Sequence, residues 1–305
     1  MVIPPVLEAG YRGRVSRLVI VMMCATGCRQ ILGLDPGSVA PSDGASDQMI
    51  EDDEADAHTA GWSDITLVPN LQPGDQDPSL TEDMLELYFT RGTQIYMMTR
   101  ESPQSPWNPP SQISLAMGAF SQQVPEIAPD GLGIIYSRGV DAGDLYFATR
   151  GRRSDAWGAS NAIPQMNGLT LENGGSVTKD TLRIVFASDR DGSLDIYEAK
   201  RTNLLSTYDP PTSLSINSAA EDAAPHLSVD GLTLHFASRR QFASAARDLF
   251  VTTRSSLASA WAPPALVTEL STPGNDSDPW VSPDGREMYF SSDRDGALRI
   301  YHARR

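Results

Sequence analysis

The chain has 305 residues, 40% of them hydrophobic, and a formal net charge of −15. Phosphate backbones and anionic lipid surfaces both need clustered cations, so this balance excludes nucleic acid and electrostatic membrane docking. The first 27 residues carry Arg12, Arg14 and Arg17 against Glu8, so the remainder is more acidic still, a charge that serves solubility.

Arg12, Arg14 and Arg17 precede an uncharged run of ten residues, Leu18 to Gly27. That run is short of the roughly 20 residues that span a bilayer. A basic stretch, a short apolar stretch and small residues before a cut describe a secretory signal over residues 1–27. Ala25-Thr26-Gly27-Cys28 resembles the lipobox of bacterial lipoproteins, with Ala25 where that family has Leu. The resemblance implies export, lipidation of Cys28 as the mature N-terminus, and anchoring in the cell envelope through that lipid alone. Arg29 follows the cysteine where an Asp would imply inner-membrane retention, so the outer membrane is the expected site. An ordinary cleaved signal is the alternative. Cys24 and Cys28 are the only cysteines, so the rest of the chain has no disulfide and no Cys metal ligand.

Residues 28–60 read as an acidic linker. Asp43, Asp47, Glu51, Asp52, Asp53, Glu54 and Asp56 sit among Ser, Gly and Ala, with too little apolar surface to offset chain entropy. Disorder is expected there, with like charges extending the segment and holding the following domain off a membrane.

From residue 61 a single unit recurs five times. Its first strand ends in an Asp turn at Asp83, Asp130, Asp180, Asp230 and Asp284, spaced 47, 50, 50 and 54 residues apart. Apolar residues precede the turn at Leu80, Ile127, Val177, Leu227 and Val281, flanked by polar or variable positions as a strand requires. Asp-Gly in three copies suits a tight hairpin, because Gly adopts positive φ freely. A second strand closes on Phe89, Tyr136, Phe186, Phe236 and Phe290 at the same spacing. In two copies it runs into Ser-Asp-Arg-Asp-Gly, whose acidic pairs lack the further ligands and closing Glu of a Ca²⁺ loop. A third strand holds Ile95, Leu145, Ile196, Leu249 and Ile300, each followed by an aromatic and, four residues later, Arg100, Arg150, Arg201, Arg254 or Arg305. An Arg in every copy is what a structural cap would show. A fourth strand is expected from Trp62, Trp107, Trp157, Tyr208 and Trp261, with Pro110, Pro211 and Pro264 marking it as an outer edge.

A period near 50 with four strands per unit predicts an all-β fold, a five-bladed β-propeller over 61–305. The chain starts with an outer strand lacking inner partners and stops after a third strand lacking an outer one. Pairing the N-terminal strand 62–69 with the last blade therefore closes the ring and removes open edges.

The strings SPDG, YFSSDRDG and DLYFATR resemble the WD40-like (PD40) repeats of the TolB-type propeller family over about residues 62–305. The resemblance implies the scaffold. It carries no function, because propellers serve binding and catalysis alike. A hydrolase domain of the kind related propellers gate is missing, as is any G-x-S-x-G elbow.

Function is expected where the repeats differ. One position of the first strand reads Ser79, Glu126, Ser176, His226 and Trp280, and in a propeller equivalent positions form a ring around the channel. Glu126, His226 and Trp280, with Asp77, Asp222 and Asp278 in the loops beside them, make a candidate ligand site at the channel mouth. The first reading is a monomeric, non-catalytic envelope scaffold that binds a protein or a glycan, with no cofactor and no metal. The alternative is a glycosidase-like enzyme using Glu126 and Asp278 as its carboxylate pair.

Overall fold

The computed structural model describes residues 61–115, 120–139, 143–241 and 246–305. The expected signal segment 1–27, the expected lipidation residue Cys28 and the expected acidic linker 28–60 lie outside them. The described residues form five four-stranded antiparallel sheets. Blade 1 holds β2 (Asp75–Leu80), β3 (Glu86–Arg91), β4 (Gln94–Thr99) and β5 (Ser111–Gln112). Blade 2 holds β6 (Gln122–Ile127), β7 (Gly133–Arg138), β8 (Asp144–Thr149) and β9 (Asn161–Ala162). Blade 3 holds β10 (Glu172–Val177), β11 (Arg183–Ser188), β12 (Asp195–Lys200) and β13 (Thr212–Ser213). Blade 4 holds β14 (Asp222–Leu227), β15 (Thr233–Ser238), β16 (Asp248–Thr253) and β17 (Ala265–Leu266). Blade 5 combines β18 (Asp276–Val281), β19 (Glu287–Ser292) and β20 (Arg299–Arg304) with β1 (Ser63–Leu67) from the start of the domain. Each innermost strand touches the next, and β18 returns to β2, so the five sheets form a closed propeller.

The core lies between blades. Each of five apolar clusters draws on two neighbouring sheets; Leu80, Phe89 and Trp107 of blade 1, for example, pack with Trp280, Tyr289 and Ile300 of blade 5. The five strand-closing aromatics are all but inaccessible to solvent. A blade cannot bury these faces alone, which is why the repeat needs its neighbours.

The turn aspartates act as local caps. Asp83, Asp130, Asp180, Asp230 and Asp284 each accept a backbone N–H two residues on, and four of them also accept a Thr or Ser hydroxyl two residues back. The recurrent Arg and the recurrent aromatic prove to be one device. Arg100, Arg150, Arg201, Arg254 and Arg305 lie 4.1–4.7 Å from the ring centres of Trp107, Trp157, Tyr208, Trp261 and Trp62. Each donates through Nε to a carbonyl of its own blade's turn.

The outer strand is shorter than the sequence suggests. In blades 1 to 4 it is two residues long and begins after the aromatic, immediately beyond Pro110, Pro211 and Pro264 in three of them. Proline cannot donate to the ladder, so pairing starts only past it.

Candidate functional site: the channel mouth

Each innermost strand carries a β-bulge at the same place, between Gln76 and Ser79, Gln123 and Glu126, Asn173 and Ser176, Ala223 and His226, and Ser277 and Trp280. The first bulged residue is left-handed in every blade: Asp77 (φ 56°), Val124 (φ 52°), Gly174 (φ 63°), Ala224 (φ 48°) and Asp278 (φ 53°). Proline follows in four blades and Gly175 in the third. Asp and Gly visit this region at modest cost, whereas a β-branched residue such as Val124 is strained there. The strain is held by cross-blade bonds: the backbone N–H of Val124 donates to Thr90 Oγ1 at 2.9 Å, and that of Asp77 to Ser291 Oγ at 3.1 Å. The bulges bring Asp77, Val124, Gly174, Ala224 and Asp278 together around a space of about 30 Å³ at one end of the channel.

Asp77 and Asp278 meet in this space, where each lies within hydrogen-bonding reach of the other. Asp77 is buried, and its Oδ2 finds no donor. Asp278 is an acceptor too unless one of the two carries a proton. Burial, and next the Asp278 carboxylate, raise the Asp77 pKa well above the carboxylate range, against a hydrogen bond from Thr90 that lowers it. Ser277 Oγ donates to Asp278 Oδ1 at 2.9 Å.

One layer deeper the channel is filled. Glu126 accepts from Ser79 Oγ at 2.9 Å on one oxygen and from Ser176 Oγ at 2.9 Å on the other. Those serines are fixed in turn by backbone N–H groups of Ile127 and Leu227. His226 Nδ1 lies 3.7 Å from Glu126 Oε1, its Nε2 is 3.1 Å from the Val281 carbonyl, and its ring lies 5.9 Å from that of Trp280. Below them a second space measures about 20 Å³. Either space holds a water or two and nothing larger.

The structure therefore brings four of the expected residues into two pairs, Asp77 with Asp278 and Glu126 with His226, and sets the Trp280 ring, tilted by 52°, beside the latter. Glu126 and Asp278 border the same upper space, yet each is engaged by different partners. Two placements differ from the sequence reading. Asp77 and Asp278 sit in strands β2 and β18 rather than in the preceding loops. Asp222 opens β14, fully buried, and pairs with Arg240 at 2.6 Å, away from the channel. It belongs to a second repeated device, an acid at the start of the inner strand held by an Arg that covers two rings: Asp75 with Arg91, Glu172 with Arg190, Asp276 with Arg294. The acid-turn pairs are spoken for as well: Asp191 and Asp295 accept the hydroxyls of Tyr197 and Tyr301, and Asp189 and Asp293 accept backbone N–H groups. No three of the described His, Cys, Asp and Glu residues stand together as a metal site.

No family model matches the chain, and no curated protein does. Matches among solved structures are numerous. One described as a TolB from Agrobacterium tumefaciens is 16% identical, covers 78% of this chain and 82% of its own, and superposes with a TM-score of 0.52. A thermostable family-43 glycoside hydrolase is 13% identical over 78% of this chain and 91% of its own, at a TM-score of 0.57. The α-L-arabinofuranosidase of Podospora anserina is 12% identical over 76% and 90%, at 0.53. At such identities the likeness shows the propeller fold and nothing of the activity.

Proposed function

We propose that the protein is a non-catalytic binding propeller, anchored at the bacterial cell envelope through lipidated Cys28, that docks a protein loop or a glycan on the channel mouth around Asp77 and Asp278. The observation that carries the reading is the filled channel. Behind the mouth, Glu126, His226 and Trp280 pack against one another, and spaces of about 30 and 20 Å³ admit no sugar ring. A ligand therefore meets the strained rim that Asp77, Val124, Gly174, Ala224 and Asp278 form around the upper space. Export and anchoring rest on the residues of the leader, Arg12 to Cys28.

The glycosidase reading draws its support from the raised pKa of Asp77, since perturbed carboxyls gather at catalytic sites. Carboxyl groups that cleave glycosides stand about 5–9.5 Å apart, with the anomeric carbon between them. The expected pair, Glu126 and Asp278, borders a space of about 30 Å³, which is too small to hold a sugar ring at both carboxyl groups.

The test is an in-cell crosslink and pull-down of the tagged full chain beside an Asp77→Asn/Asp278→Asn variant, with glycan-array binding in parallel. One envelope protein or glycan retained by the parent and lost by the variant is the expected result. Turnover of an aryl glycoside by the parent, abolished by Glu126→Gln, would overturn it in favour of the enzyme. Loss of palmitate labelling in Cys28→Ser checks the anchor.

A further inference from the structure

The five blade interfaces share a frame, and one of them is open. At the first position of the second strand the blades carry Glu86, Gly133, Arg183, Thr233 and Glu287. At the third they carry Tyr88, Ile135, Val185, His235 and Tyr289. Blade 2 thus presents its neighbour with no side chain at one position and a short aliphatic one at the other. The result is a cleft of about 750 Å³ between blades 2 and 3, within the roughly 300–1,000 Å³ of small-molecule sites. Its lining runs from Ala162 on the outermost strand, past Phe147 and Ile135, to Val177 and Glu126 at the innermost. Strands lie about 4.8 Å apart, so crossing from β9 to β6 makes the cleft about 14 Å long. Leu205, 99% exposed, stands at its mouth.

The charge in the cleft is as uneven as its shape. In two of the other four interfaces the repeated Arg meets an acid: Arg150 binds Glu86 at 2.6 Å, and Arg254 binds Glu198 at 3.1 Å. Blade 2 has Gly133 and Phe147 where those acids stand. Arg201 accordingly forms no ion pair among the described residues; it donates to the carbonyl and hydroxyl of Thr181 and stacks on Tyr208. Glu126 at the inner end repels an anion, and Arg201 attracts one.

We propose that this cleft binds a long-chain aliphatic carboxylate, a fatty acid, with its head on Arg201 and its chain along Ile135, Phe147 and Ile163. The site shares only Glu126 with the channel mouth, and its test does not depend on a ligand there. Gly133→Glu is the informative variant, because it copies the Glu86–Arg150 pair of the neighbouring interface. Its backbone is not left-handed, and a Cβ there would meet only the Ala128 Cβ at 3.4 Å, so the fold has room for it. Ile135→Tyr fills the same cleft by copying Tyr88.

The experiment titrates tetradecanoate, below its micelle concentration, into the full chain by calorimetry, with tetradecanol as the uncharged analogue. The expected result is saturable one-to-one binding, at least tenfold weaker for the alcohol, and at least tenfold weaker for tetradecanoate in Gly133→Glu and in Ile135→Tyr. Both variants should melt at or above the parent temperature. Absence of saturable binding, equal affinity for acid and alcohol, or unchanged affinity in a folded Gly133→Glu or Ile135→Tyr protein would each overturn the proposal.

Discussion

The interface of blades 1 and 2 and the interface of blades 2 and 3 are the same joint built twice, once closed and once open. In the first, Glu86 receives Arg150 and the Tyr88 hydroxyl, and Tyr88 meets Trp157 edge-on at 6.4 Å. In the second, Gly133 and Ile135 stand in place of Glu86 and Tyr88, and a cleft remains. Both joints keep the Arg–aromatic stack and the turn cap. Stability resides in what every blade repeats, and binding capacity in what one blade omits.

The largest expected effect comes from breaking the closed joint. Glu86→Ala leaves the Arg150 guanidinium, whose side chain is 3% exposed, as an uncompensated buried charge. A loss of about 3–5 kcal/mol is expected, read as the shift of a urea midpoint. Arg201→Ala in the open joint orphans no acid and should cost far less. Equal losses would mean that the two joints do not differ as described.

A third joint sharpens the contrast through pH. His235 holds the position of Tyr88 in blade 4, and burial first, then His226 and Arg305, lower its pKa to about 3. The unfolded chain binds that proton near pH 6.5, so the folded state loses stability as pH falls from about 6.5 toward 3. Copying blade 3 with His235→Val should remove that part of the acid limb, worth a few kcal/mol at its foot. Melting temperatures from pH 7 to 3.5 check it; parallel profiles for the two proteins would sink the assignment.

How much of this the sequence disclosed depends on whether a feature repeats. Five copies of the Asp turn, the closing aromatic and the terminal Arg placed the strands and the closure of β1 on β20, because the same pattern was sampled five times. Glu126, His226 and Trp280 were placed in the channel by equivalence. The bulge has a sequence signal that strand periodicity does not capture: Asp77-Pro78, Val124-Pro125, Ala224-Pro225 and Asp278-Pro279 put a Pro where a regular inner strand needs an N–H. Contact between Asp77 and Asp278 depends on two adjacent blades turning left-handed at once, which no pattern within one repeat encodes. Asp222 falls outside the channel because its register matches Asp75 and Asp276, two residues ahead of the bulge. The open cleft was visible only as Gly133, a residue that names nothing until its four counterparts are aligned with it.

The bulge gives the next prediction. Blades 1 and 5 carry Asp there, and blades 2 to 4 carry Val, Gly and Ala. The raised pKa of Asp77 means that the folded state holds its proton more tightly than the unfolded chain. Stability is therefore full below the ordinary carboxylate range and declines as pH rises through the folded pKa. Asp77→Asn should remove this decline and gain about 1–2 kcal/mol at neutral pH, a few degrees in a domain this size. Melting curves at pH 4 and pH 7.5 suffice; an Asn variant less stable than the parent at both would mean that Asp77 is needed ionised.

The smallest effect expected lies at the far end of the channel. Lys179 of blade 3 reaches both oxygens of Glu82 of blade 1, at 2.8 and 2.9 Å, across turns whose backbones already bond to their neighbours. The pair joins blades that share no sheet, so it looks like a lock on the ring. Its Lys side chain is 61% exposed, however, and exposed pairs contribute about 0.2–1 kcal/mol and fade with salt. The joints between adjacent blades hold the ring, so Lys179→Ala should move the urea midpoint by no more than about 0.5 kcal/mol, and by nothing measurable in 1 M salt. A loss above about 1 kcal/mol that survives salt would place part of the ring's closure in this cross-channel bridge.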